Sequence, residues 1–113
     1  MTKPEQLEIC LRMGVACIAS SAHDKLGIAE DVKSDVMPLN GLRHRPEGDA
    51  SGWYIWAGGG PPSDPTYFLS LHVAHVEEWR GGISKYLGLP PGWRFQVAPG
   101  HEDIWFDSSL LDA

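Results

Sequence analysis

Residues 88 to 107 read Gly88-Leu-Pro-Pro-Gly-Trp-Arg-Phe-Gln-Val-Ala-Pro-Gly-His-Glu-Asp-Ile-Trp-Phe-Asp107, and this stretch decides the fold. Pro90 and Pro91 have fixed φ and Gly92 is free to take φ > 0, so a helix arriving from the N-terminal side must stop here and a strand can begin. Trp93, Phe95 and Val97 alternate with Arg94 and Gln96, the period of a half-buried strand. Ile104 and Phe106 oppose Asp103, Trp105 and Asp107 in the same way, and Pro99-Gly100 marks the turn between the two runs. The spacing predicts a hairpin with acids and an indole together on one face, which suits a binding surface better than a catalytic pocket.

Similar runs flank this hairpin on the N-terminal side. Gly52-Trp-Tyr-Ile-Trp-Ala-Gly58 is aromatic and β-favouring throughout, and with short, basic Leu42 to Arg45 it predicts a second hairpin. Strict alternation puts Trp53 and Ile55 in the core and Tyr54 and Trp56 on the opposite face. Val15 to Ala19 is an apolar run followed by Ser20 and Ser21, the pattern of a buried strand. The opening segment offers Thr2 as N-cap, Pro4 and Glu5 in a first turn, Leu7, Cys10 and Leu11 on one face, and Gly14 as a stop, which predicts a helix over residues 4 to 13. Leu71, Ala74, His75, Glu78 and Trp79 fall at helical spacing and Ile83, Tyr86 and Leu87 extend the stripe, predicting helical pieces over residues 69 to 87. Residues 30 to 40 are mixed and turn-like and receive no assignment.

Gly58-Gly-Gly-Pro-Pro-Ser-Asp-Pro65 is a long internal loop and not a domain boundary, because neither side could bury a core alone. The expectation is a single domain over residues 1–113, of α+β class, with a mainly antiparallel sheet of about five short strands and one or two helices on one face. A chain of 113 residues can bury about two-thirds of its unfolded surface without an external staple. Apolar residues at 42% and charged residues at 21% exclude a disordered tail, while 13 Gly and 9 Pro demand many turns.

Nine basic and fifteen acidic side chains give a net charge of −6, which repels phosphate backbones and anionic lipid, so neither nucleic acid nor membrane is an expected partner. After Arg94 there is no Lys or Arg, whereas Glu102, Asp103, Asp107 and Asp112 all lie beyond it. That acidic end reads either as a solvated surface or as a docking patch for a basic protein. No apolar run reaches the length of a membrane span and the first residues lack a signal-peptide layout, so a cytoplasmic location is expected. Cys10 and Cys17 lack Cys-x-x-Cys spacing and sit in apolar sequence, which predicts two buried, reduced thiols.

The chemistry on offer is sparse. The three glycines from Gly58 are not followed by the Lys-Ser or Lys-Thr of a phosphate-binding loop. His72 and His75 lie at helical spacing but lack the His-Glu-x-x-His pattern, so no metal is expected, and no cofactor. His101, Glu102 and Asp103 come after Pro99-Gly100 as a turn would, and no nucleophile elbow or activated thiol is present, so the chain is not expected to be an enzyme. Five tryptophans are a heavy load for this length and serve as core or as binding anchors. The expected partner-binding residues are Trp56, Glu102, Asp103, Trp105 and Asp107.

Ser51-Gly-Trp-Tyr-Ile-Trp-Ala-Gly58, Asp64-Pro-Thr-Tyr-Phe68, Leu71-His-Val-Ala-His75, Lys85-Tyr-Leu-Gly-Leu-Pro-Pro-Gly-Trp-Arg-Phe95 and Glu102-Asp-Ile-Trp-Phe-Asp107 together resemble a bacterial family of small domains, immunity protein 33-like. The likeness runs from about Cys17 to Leu111. It departs from the family in the longer Asp49-Ala-Ser-Gly approach to Trp53 and in Gly58-Gly-Gly-Pro-Pro, which replaces a more acidic loop. The resemblance implies an antidote that binds and occludes a cognate protein toxin, and it brings no catalytic residues. Charge adds the expectation of a basic toxin surface; the oligomeric state, monomer or homodimer, stays open. Two alternatives stand beside this reading: a small-molecule-binding or regulatory domain using the aromatic face, and a metal-dependent hydrolase built from His72, His75 and Glu102 or Asp103.

Overall fold

The computed structural model describes residues 4–59 and 68–112. It is α+β: one mixed sheet carries α1 (Pro4–Met13) and a chain of short helical turns on one face. The strands are β1 (Lys25–Ala29), β2 (Leu39–Arg43), β3 (Ala50–Ala57), β4 (Phe68–His72), β5 (Trp93–Ala98) and β6 (His101–Phe106). Their order across the six-stranded sheet is β4-β1-β3-β2-β5-β6, antiparallel except for the parallel pair β1 and β3. The sheet therefore has one strand more than expected.

Alternation decides which side chains meet the helical layer. Leu26, Ile28, Trp53, Ile55 and Phe95 point to that face and are buried with Ile9, Val76, Ile83, Tyr86 and Leu87. Trp53 is fully enclosed, and its indole N–H donates to the Leu87 carbonyl at 3.3 Å, so the largest core ring leaves no donor unmet. Phe95 lies flat against Tyr86, with centroids 4.6 Å apart and planes at 15°. Gly41 in β2 makes room for that ring: a Cβ there would sit 2.1 Å from Phe95 Cε2.

Two expected elements are corrected. Val15 to Ser20 is not a strand but an irregular strap. Its apolar run is held by single long-range bonds, Ile18 N–H to the Gly88 carbonyl at 2.8 Å and the Arg43 guanidinium to the Ile18 carbonyl, so no ladder forms. Arg43 is 2% exposed and donates as well to the carbonyls of Ser51 and Leu89, tying strap, β3 and the Pro90 turn together. Burial pulls its pKa down to about 10.

Residues 69 to 72 are strand β4 and not helix, because Leu71 beside Leu26 and Leu69 beside Ile28 satisfy a two-residue period as well as a helical one. Beyond His72 the chain is broken into single turns, Val73–His75, α2 (Val76–Trp79) and Ser84–Tyr86, with Gly81-Gly82 between the last two. Thr2 and most of the Gly58 to Pro65 loop lie outside the described residues. No helix among the described residues is long and apolar enough to cross a membrane.

Candidate functional site

The face of the sheet turned away from α1 carries two rows of side chains, because residues paired across strands project to the same side. Trp56, Asn40, Gln96 and Asp103 stand in register across β3, β2, β5 and β6. Tyr54, Leu42, Arg94 and Trp105 form the neighbouring row. The first is braced by hydrogen bonds. Gln96 Nε2 donates to Asn40 Oδ1 at 3.0 Å, Asn40 Nδ2 donates to the Gly58 carbonyl at 3.0 Å, and His101 Nε2 lies 3.3 Å from Gln96 Oε1.

In the second row the Arg94 guanidinium lies 5.1 Å from the Trp105 ring centroid, and Arg94 Nη1 donates to Asp107 Oδ2 at 3.2 Å. Arg94 Nε is buried without a partner among the described residues. Asp107 also caps the turn Ser108–Leu111, accepting from the Ser109 amide and hydroxyl. The Ser109 hydroxyl above all, helped by its amide and Arg94, holds the Asp107 carboxyl below its ordinary range against the opposing effect of desolvation. Leu110 from that turn packs with Leu42, Ala29 and Trp56 at the centre of the face.

Between the two indoles lies an open groove of about 440 Å³, lined by Pro38, Asn40, Trp56, Arg94, Gln96 and Trp105 among others. Trp56 is 2% exposed and donates its indole N–H to the Gly59 carbonyl at 2.8 Å, so it forms the groove wall and not a protruding anchor. Trp105 is half-buried, Asp103 is exposed, and Tyr54 is 39% exposed with its ring edge-on to Phe68.

Glu102 stands apart from this face. Alternation along β6 sends it to the helical side, where it accepts from the Tyr86 hydroxyl at 2.6 Å and from Arg12 at 2.7 Å. The Tyr86 bond, with Arg12 beside it, holds its carboxyl below the usual value despite partial desolvation. Of the five expected partner-binding residues, Trp56, Asp103, Trp105 and Asp107 share the open face or its rim, and Glu102 fastens β6 to α1.

The residues of the hydrolase alternative do not converge. His72 ends β4 at one edge of the sheet, while Glu102 and Asp103 lie in β6 at the other, five strand spacings or roughly 24 Å away. His75 is committed to Glu78 at 2.6 Å. Among the described residues no three His, Cys, Asp or Glu side chains gather as a metal site would need.

A family model described as Imm33-like domain matches residues 5–107. The chain belongs to the Imm33-like family. No curated protein and no solved structure matches it. In this Imm33-like domain the Leu89-Pro-Pro-Gly-Trp-Arg-Phe95 segment forms the turn into β5 and its first half, and Glu102-Asp-Ile-Trp-Phe-Asp107 forms β6 and the cap at its end. These two segments supply Arg94, Asp103, Trp105 and Asp107 to the open face or its rim. Sequence reasoning missed Asn40, Gln96 and Arg94 as members of that face. Arg94 and Gln96 carry the outward phase of β5, a usable signal, but the partner strand that aligns Asn40 with Gln96 is visible only in the fold.

Proposed function

We propose that this Imm33-like domain binds a protein toxin and neutralises it by occlusion, with the open face of the sheet as its contact surface. In this reading it acts in the bacterial cytoplasm, as a monomer or homodimer, and turns over no substrate. The observation that carries the proposal is the braced pair of rows on an Imm33-like sheet, whose family name denotes immunity. The short turn Ser108–Leu111 covers part of that face through Leu110, and Trp105 is presented beside it on a guanidinium that Asp107 holds in place. A half-buried aromatic beside a fixed guanidinium is the composition of an interface hot spot. The net charge of −6 and exposed Asp103 favour a basic toxin surface, steered in before docking.

The test uses the product of the gene adjacent to this one as the candidate toxin. Trp105→Ala, checked for folding by circular dichroism, is expected to raise the dissociation rate about 30-fold, equivalent to about 2 kcal/mol. Asp103→Asn should lower the association rate and flatten its salt dependence. Glu102→Gln, on the other face, should leave both rates unchanged. Folded Trp105 and Asp103 variants with parental rates, alongside a Glu102 variant that binds poorly, would move the contact to the helical side. Absence of any complex with the parent chain would remove the toxin reading altogether.

A further inference from the structure

We propose that Cys10 and Cys17 form a redox couple, closing to an intramolecular disulfide that staples the end of α1 to the strap beneath it when the protein meets a low-molecular-weight disulfide. This inference is independent of the toxin reading and concerns the opposite side of the sheet. Three observations bring the sulfurs together. Cys10 Sγ lies 2.8 Å from Cys17 Sγ and 3.3 Å from the Gly88 carbonyl. Gly88 lacks the atom that would push them apart, since a Cβ there would stand 2.7 Å from Cys17 Sγ. The strap bearing Cys17 is pinned on the far side of the sulfurs, by the Ile18 amide on the Gly88 carbonyl and by Arg43 on the Ile18 carbonyl. Closing from this separation to a bonded sulfur pair needs a displacement of under about 1 Å.

The two thiols are unequal. Cys17 is partly exposed and Cys10 is buried, so the oxidant meets Cys17 first. The Cys17 thiolate attacks one sulfur of the disulfide, that S–S bond breaks, and the departing thiolate takes up a proton. Cys10 then gives its proton to solvent and attacks the Cys17 sulfur, forming the internal S–S bond and releasing the second small thiol. Two cysteine thiols are oxidised and one small disulfide is reduced to two thiols. Burial, and then the hydrogen bond and charge of Cys17, push the Cys10 thiol up to about 12.

The experiment treats the whole folded chain with oxidised glutathione, quenches with acid and measures intact mass. The parent should lose the mass of two hydrogens and carry no glutathionyl group, with peptide mapping linking residue 10 to residue 17. Cys10→Ala should accumulate a glutathionyl adduct on Cys17, because the resolving thiol is gone. Cys17→Ala should stay reduced at Cys10 and serves as the second variant if the first fails to fold. Oxidised parent should also melt several degrees higher, as expected when a short loop is closed in the unfolded chain. A parent that stays reduced under conditions that oxidise the urea-unfolded chain would overturn the proposal. So would a parent that accumulates the glutathionyl adduct to the level of Cys10→Ala.

Discussion

Substituting Gly41 by Ala tests how tightly the helical face is built. The added Cβ would sit 2.1 Å from Phe95 Cε2, whereas carbon atoms rest about 3.5–4.0 Å apart, so the ring must retreat by roughly 1.5 Å. It has nowhere to go. Tyr86 is stacked on it at 4.6 Å and Trp53 stands at 5.8 Å on another side, both nearly inaccessible to solvent. Overpacking of this kind costs about 1–3 kcal/mol, and spoiling two aromatic pairs adds about 0.5–1.5 kcal/mol each. A total of about 3–4 kcal/mol should lower the urea midpoint by roughly 1.5–2 M for a domain with a slope near 2 kcal/mol/M. Phe95→Leu alone should cost about 2 kcal/mol. The double variant Gly41→Ala/Phe95→Leu should be about as stable as Phe95→Leu alone, because the leucine vacates the space the methyl needs; the coupling is then about 3–4 kcal/mol, the whole cost of Gly41→Ala. Strictly additive losses would refute this account of the glycine. Both positions face α1, so the affinity of folded Gly41→Ala for the toxin should match the parent.

Two further outcomes concern pH. Because folding raises the Cys10 thiol from 9.0 to about 12, its contribution to stability is complete below pH 9 and is lost as the pH climbs towards 12; melting temperatures across that range should fall less steeply in Cys10→Ala than in the parent. Glu102 is shifted the other way, so its contribution is present above its ordinary 4.5 and is lost as the pH falls through the lower folded value. Glu102→Gln should therefore melt with a flatter acid limb, and an unchanged limb would deny the Tyr86 and Arg12 bonds a stabilising role.

Elements whose identity rests on neighbours in sequence were legible, and those that depend on distant partners were not. Helix Pro4–Met13 and strand Trp93–Ala98 fall where the stop residues and alternation place them. Val15 to Ser20 has the composition of a buried strand, but its polar backbone is met by Gly88 and Arg43, contacts no local pattern can announce. In residues 69 to 72, two periods fit four residues equally well, and only pairing with β1 selects the strand. Glu102 leaves the acidic face for a different reason. Adjacent residues on a strand point to opposite faces, so Glu102 and Asp103 could never share one surface, and the alternation that placed Ile104 beside the core had already separated them.

Strand register leaves Trp56, Asp103 and Trp105 on one face with Asp107 at its rim, and that face is preorganised. A binder gains most when its contact side chains are ordered before the partner arrives, since each freely rotating chain frozen at an interface costs about 0.5–1.5 kcal/mol. Here Asn40 and Gln96 restrain one another, Arg94 is held between Trp105 and Asp107, and Trp56 is fixed through Gly59. The same commitments weigh against chemistry at this place. Asp107 is occupied by Arg94 and Ser109, and its lowered pKa keeps it ionised, which is a poor setting for a proton donor near neutral pH. A rigid surface with one indole over a splinted guanidinium, and an exposed acid two residues from that indole, is better matched to covering another protein than to turning over a substrate. Arg94→Ala should accordingly weaken toxin binding nearly as much as Trp105→Ala, because the indole would lose its support as well as a neighbour.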